Sequence, residues 1–178
     1  MATGDGLNAQ FRLRAIAPLL FPMLASCVAS APPPRVLAPP DASRVLALVN
    51  DARSRPRRCG GTRHEAVPPL ARSADLDRIA LAHARDMAAR KNMSHTGSDG
   101  STPGERATRA GYRWRFIGEN VAYGQPTAER VVAGWLESPH HCENIMDPDF
   151  TDMGIGVAET ARGEPGPYWS QVFGRPRS

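Results

Sequence analysis

The sequence predicts an α+β sandwich with a largely antiparallel sheet. Three observations carry that reading. Apolar residues recur near helical spacing, first at Val45, Leu46, Leu48, Val49 and Ala52, then at Leu76, Ile79, Ala80 and Met87, with His83 on the same face. Three later runs, residues 115–122, 153–159 and 168–173, mix β-branched, aromatic and glycine positions as strands do. Helix-start signals at Thr102 and Thr127 stand around the first of these runs. Helices first and strands later, with one strand between helices, is the order of an α+β fold.

The elements follow in chain order. Arg12 and Arg14 precede an apolar run, residues 15–25, that Pro18 and Pro22 interrupt. A basic segment before an apolar one of this length reads as an export signal, and the run is too short to span a bilayer. It ends in Leu24-Ala25-Ser26-Cys27, which resembles a bacterial lipobox. Residues 1–26 are therefore expected to be a lipoprotein-type signal peptide and Cys27 the lipidated first residue of the mature chain. The alternative is an ordinary signal cut after Ala29-Ser30-Ala31. Residues 27–40, with Pro32-Pro33-Pro34 and Pro39-Pro40, read as a stiff spacer. Residues 41–178 are the folded domain, and a length of 178 residues with 41% hydrophobic content suits one domain with a real core.

Within that domain a first helix is predicted over 41–53 and a loop over 57–69, where Gly60-Gly61 and Pro68-Pro69 fall. Ser73 is a good N-cap for a second helix reaching Arg90. His83 lies on its apolar face and reads as a core or boundary residue rather than a ligand. Thr102, Pro103 and Glu105 fit N-cap, N1 and capping-box positions, so Glu105 reads as structural, and Gly111 closes this short helix. Thr127 caps another helix, which Pro139 ends. Trp135, Tyr168 and Trp169 read as core and sheet residues.

The formal charge is +4, and almost all basic residues are arginine, Lys91 being the only lysine. Removing the signal, with Arg12, Arg14 and Asp5, leaves +3. The arginines are scattered. The one cluster, Arg53, Arg55, Arg57 and Arg58, reads as a solvated helix end, and nothing supports nucleic-acid binding. Three cysteines, Cys27, Cys59 and Cys142, are an odd number for an exported chain. If Cys27 carries lipid, Cys59 and Cys142 remain to pair in an oxidising compartment; two buried free thiols are the alternative.

Four stretches then stand out: Asn92-Met93-Ser94-His95, Gly118-Glu119-Asn120-Val121-Ala122, Trp135-Leu136-Glu137-Ser138-Pro139-His140-His141-Cys142-Glu143-Asn144-Ile145-Met146, and Tyr168-Trp169-Ser170-Gln171-Val172-Phe173-Gly174. In order, spacing and punctuation this set resembles the CAP superfamily (SCP-like domain), in its bacterial branch, over residues 44–175. The resemblance implies a three-layer α-β-α sandwich with a central cleft. It implies that two histidines and an acid face that cleft: His95, Glu119 and His141. His140 stands where the family usually has glycine, and is expected to point to solvent. Ser138 stands where many eukaryotic members have a second acid; Glu137 beside it points about 100° away on a helix and does not replace it. Cys142 stands where bacterial members often have arginine, in keeping with a Cys59–Cys142 bridge.

Three functions remain open at this point. Two imidazoles with a carboxylate or water suit a divalent metal such as zinc, in an open site; by resemblance, a small or hydrophobic ligand such as a lipid is an extension of the same binding role. Glu119 and a histidine also suit general acid–base work in an envelope hydrolase acting on peptide or cell-wall substrate. Ser94 and Ser138 lie nearby, but no triad is apparent, which argues against catalysis. The third reading is a hydrogen-bonded network that stiffens an inert cleft of a structural or interaction protein. The partners expected are a membrane through the lipid anchor and a lipid, cell-wall or small-molecule ligand, with the chain a monomer. The expected location is periplasmic or anchored to the outer membrane, the alternative being a secreted soluble protein.

Overall fold

The computed structural model describes residues 39–160 and 166–177. Cys27 and residues 1–38, on which the signal peptide and most of the spacer fall, lie outside the described residues. Five helices are present among the described residues: α1 (Pro39–Arg53), α2 (Ala74–Arg90), α3 (Pro103–Arg109), α4 (Ala128–Glu137) and α5 (Pro139–Met146). The strands are β1 (Arg57–Cys59), β2 (Thr62–His64), β3 (Ala71–Arg72), β4 (Trp114–Tyr123), β5 (Asp152–Ala158) and β6 (Tyr168–Pro176). None of these helices is long and apolar enough to cross a membrane.

The predicted caps form. The Ser73 side chain accepts the Leu76 N–H at the start of α2. At α3 Thr102 and Glu105 exchange both bonds of a capping box, with Pro103 in the first turn, and Gly111 takes φ +83 just beyond its end. The Thr127 hydroxyl accepts the Arg130 N–H at α4. α1 starts at Pro39, two residues before the predicted Asp41. Proline is at home in a first turn, whose N–H groups have no helical partner in any case.

The main sheet runs β3-β5-β6-β4. β6 pairs antiparallel with both β4 and β5, and the two-residue β3 pairs parallel with β5. The sheet is thus largely antiparallel, as the sequence predicts. Strand alternation sorts the side chains into two layers of helix. Met153, Ile155, Val157, Trp169 and Phe173 join the core of α1, α4 and α5, where Val45, Val49, Trp135 and Ile145 are buried. Leu76, Ile79 and Ala80 of α2 and Ala107 of α3 share a second core with Val172 and Tyr112. Gly154 and Gly156 of β5 face α2: a Cβ on either would lie 2.1 to 2.2 Å from α2 backbone. The missing side chains let the helix lie directly on the strand.

Two expectations are corrected. Residues 57–69, read as loop, contain an antiparallel hairpin, β1–β2, turning through Gly60-Gly61 with Cys59 opposite Thr62. A Gly-Gly pair is a hairpin turn as much as a loop signal, and Gly60 takes the left-handed φ of +57. Arg53, read as part of a solvated end, is 1% exposed. Its guanidinium donates to the carbonyls of Pro68 (2.8 Å), Ile145 (2.7 Å), Asp147 (3.0 Å) and Phe150 (3.3 Å). Burial pulls its pKa down to about 10, still charged at neutral pH. It is a tie between α1 and the chain after α5.

Candidate functional site

β4 is an edge strand of the sheet, and its alternation decides what Glu119 meets. Glu119 and Val121 point toward α2 and α3, while Asn120 points toward α5. The Glu119 residue is 6% exposed, yet both carboxylate oxygens are engaged. Oε1 accepts His95 Nδ1–H at 2.9 Å. Oε2 accepts Arg106 Nη2 at 2.7 Å and the buried Ser170 hydroxyl at 3.3 Å. His83 Nε2 lies 3.7 Å from Oε1 and donates to the Ser94 carbonyl at 2.8 Å. A loop, two helices and a neighbouring strand therefore converge on one buried carboxylate.

The sequence pairs His95 with Glu119, and the structure brings them together. His95 remains half exposed at its side chain, and with Nδ1–H directed to Glu119 its Nε2 is the ring nitrogen that the carboxylate does not engage. Arg106, His83 and Ser170 were not expected there. Arg106 also donates to the carbonyls of His95 (2.9 Å) and Ser101 (2.8 Å), which pins the loop carrying the histidine. His83 is a core residue, as the sequence reading has it, and it lies beside Glu119. Burial, aided by the Arg106 charge, holds its ring below the ordinary histidine range against the pull of Glu119.

His141 approaches on α5. Its carbonyl accepts Asn120 Nδ2 at 3.1 Å, and that amide also bonds Gln171 Oε1 at 3.1 Å. Asn144 adds bonds to Asn120 Oδ1 (2.9 Å) and to the Glu119 carbonyl (3.2 Å). This amide network fastens α5 to the edge of β4. The His141 ring is half-buried; burial, then the charges of His95 and His140, push its pKa below the ordinary range. Among the hydrogen bonds of the described residues none joins His141 to His95 or Glu119. Nor, among the described residues, do three His, Cys, Asp or Glu side chains group closely enough to enclose a metal.

The local departures are also placed. His140 is almost fully exposed and sits 3.3 Å from Glu143, in solvent as expected. Glu137 is exposed at the end of α4. Ser138 is the N-cap of α5 without a side-chain capping bond. Cys59 and Cys142 form a disulfide, with Cα atoms 5.4 Å apart, next in sequence to His141. Arg106 carries no sequence signal of its own: it follows a capping box and looks like an ordinary helix-surface arginine. Ser170 could have been found from its position between Trp169 and Gln171 on a strand facing β4.

Comparison with known proteins bears on the family and the fold. The family described as the cysteine-rich secretory protein family (CAP) matches residues 46–173. The uncharacterized protein YkwD of Bacillus subtilis is 32% identical over 109 residues, 61% of this chain and 40% of that protein. The uncharacterized membrane protein YlbC of the same organism is 29% identical over 79 residues, 44% of this chain and 23% of that protein. The chain thus spans less than half the length of these curated relatives. Among solved structures, an extracellular SCP-domain protein from Bacillus anthracis superposes with a TM-score of 0.65 at 26% identity, over 78% of this chain and 44% of that one. An outer surface protein from Borrelia burgdorferi gives 0.60 at 21% identity, over 76% of this chain and 89% of that one, a likeness of fold.

Proposed function

This chain belongs to the cysteine-rich secretory protein (CAP) family, and from that premise we propose that it is an exported, lipid-anchored binding module whose cleft holds a divalent metal through His95 and His141. The observation that carries this reading is the 2.9 Å bond from His95 Nδ1 to Glu119. A carboxylate on one ring nitrogen fixes the tautomer and turns the other nitrogen outward as a ligand, the usual support behind a metal-bound histidine. Arg106 and Ser170 occupy the second oxygen of Glu119, so the carboxylate backs His95 rather than binding the ion itself. His141, pushed toward the neutral form, supplies a second imidazole in the state that ligates. Two imidazoles fit a zinc site that is open and weak, with water or a small ligand in the remaining positions. A bound zinc ion would supply Lewis acidity at the cleft.

Export and anchoring rest on other features. The disulfide belongs to an oxidising compartment. The Bacillus anthracis neighbour is an extracellular protein. Residues 24–27 have the lipobox pattern, and residues 28–38 supply a proline-rich spacer between membrane and domain. The hydrolase reading gains no nucleophile: Ser170 is buried against Glu119, and the Ser94 hydroxyl accepts the Thr96 N–H.

Titration of the purified chain with zinc tests the cleft. Wild type is expected to bind, and the His95→Ala, His141→Ala double variant to lose binding; equal binding by both, or by neither, removes the metal assignment. Membrane fractionation of Cys27→Ser tests the anchor, with release into the soluble fraction expected and unchanged membrane association counting against it.

A further inference from the structure

A cavity of about 440 Å³ lies between α2, α3 and the 97–101 loop. Its lining includes neither His95 nor His141, though it includes His83 and Arg106, two of the groups gathered at Glu119. A cavity of this size falls among small-molecule sites.

Opposite charges share the walls. Arg78, Arg106 and Arg109 face the same space as Asp86 and Asp99. Each already has a partner: Arg109 pairs with Asp99 at 2.6 Å, Arg78 with Asp75 at 2.7 Å and Asp86 with Arg90 at 3.0 Å. The first two pairs are well exposed, and exposed pairs hold weakly, so their charges can turn to a ligand. Ile79, Ala82 and Ala110 complete the lining with apolar surface. A ligand bearing only a carboxylate would meet two aspartates, and one bearing only an amine would meet three arginines. A dipolar ion finds a complement for each end, and an apolar side group on it covers Ile79, Ala82 and Ala110.

Spare hydrogen-bonding capacity points the same way. Three buried polar atoms without a partner among the described residues, His83 Nδ1, Ser101 Oγ and Arg106 Nε, belong to residues of this lining. His83 Nε2–H donates to the Ser94 carbonyl, so Nδ1 of the neutral ring is an acceptor, whereas Arg106 Nε–H is a donor. All three atoms are buried from solvent, and between them they provide both senses of hydrogen bond.

We propose that this cavity, whose lining includes neither His95 nor His141, binds a free amino acid or a similar small zwitterion with an apolar side group. Calorimetric titration of the full chain tests it with L-leucine, 4-methylpentanoate and 3-methylbutylamine, which share one branched apolar group and carry both charges, the negative charge or the positive charge. Leucine is expected to bind at least about tenfold more tightly than either single-charge analogue. Ala82→Leu, on α2 at the cavity wall, and Arg109→Ala are each expected to weaken leucine by about tenfold, with the zinc titration unchanged. The proposal is overturned by absence of leucine binding, by analogues that bind as well as leucine, or by leucine binding that survives both substitutions. Leucine binding lost in His95→Ala but kept in Arg109→Ala would move the ligand to the cleft and overturn it equally.

Discussion

The chemistry of this molecule is concentrated on one buried side chain. Glu119 is stabilised in the interior by Arg106, itself 11% exposed at the side chain. Removing one partner of such a pair leaves the other as an uncompensated buried charge. Arg106→Met is therefore expected to destabilise the fold by about 3 kcal/mol or more, read as a lowered thermal midpoint. Its effect on zinc binding should be loss as well, because Arg106 also holds the His95 carbonyl. pH acts on two further residues. His83 and His141 both have pKa values lowered by burial, so between the folded value and the ordinary 6.5 the unfolded chain binds more protons. Stability is then full above 6.5 and falls as the pH drops through and below it. Denaturant midpoints measured between neutral and mildly acid pH should show this loss, and His83→Gln should make the dependence shallower; an unchanged slope would mean that His83 does not titrate on unfolding. Of this centre, the family resemblance of short local motifs pointed to His95, Glu119 and His141; the structure bonds the first two to each other, and ties the third through the bond from Asn120 to the His141 carbonyl. Arg106 and His83 were not legible, because their role depends on which helix faces lie over β4, a fact of packing rather than of spacing.

At the scale of elements, punctuation was the dependable signal. Ser73, Thr102 with Glu105, and Thr127 mark helix starts because side-chain acceptors on orphan N–H groups are local chemistry. The two-residue β3 had no such marker; it exists because the backbone entering α2 passes beside β5, with the Ala71 N–H bonded to the Thr151 carbonyl and the Ser73 N–H to that of Met153. Glycine positions in the strands were visible in the sequence, but their reason was not. Gly156 leaves room for the α2 backbone around Leu81 and Ala80, which a Cβ would approach within 2.2 to 2.4 Å. Backbone cannot swing aside as a flexible side chain does. Gly156→Ala is expected to cost about 3 kcal/mol or more, or to prevent folding. Gly61→Ala makes the matching control: no atom lies within 4 Å of where its Cβ would stand and its φ is not in the left-handed region, so the thermal midpoint should barely move.

At the scale of the whole domain, the question is what holds α5, and with it His141, against the rest of the chain. Eight residues are too few for a helix to persist alone, and Ser138 contributes no side-chain cap. Three distant ties replace local stability. Arg53 of α1 bonds the carbonyls of Ile145, Asp147 and Phe150; Asn120 of β4 bonds the His141 carbonyl; and Cys59 on the hairpin is joined to Cys142 across 83 residues of sequence. The hairpin also packs close, since a Cβ on Gly60 would come within 3.1 Å of the Pro139 ring. The first two ties are hydrogen bonds that survive reduction; the third does not. By loop-closure entropy the bridge is worth up to about 4.5 kcal/mol. Reductant, or the double substitution Cys59→Ser and Cys142→Ser, should lower the thermal midpoint and should raise amide exchange in residues 139–146 before that in α2. Zinc affinity should fall with it, since one of the two imidazoles rides on the loosened helix. If exchange rises uniformly instead, the bridge acts on the unfolded chain alone; if midpoint and zinc affinity both stay put, Arg53 and the amide network suffice to seat His141.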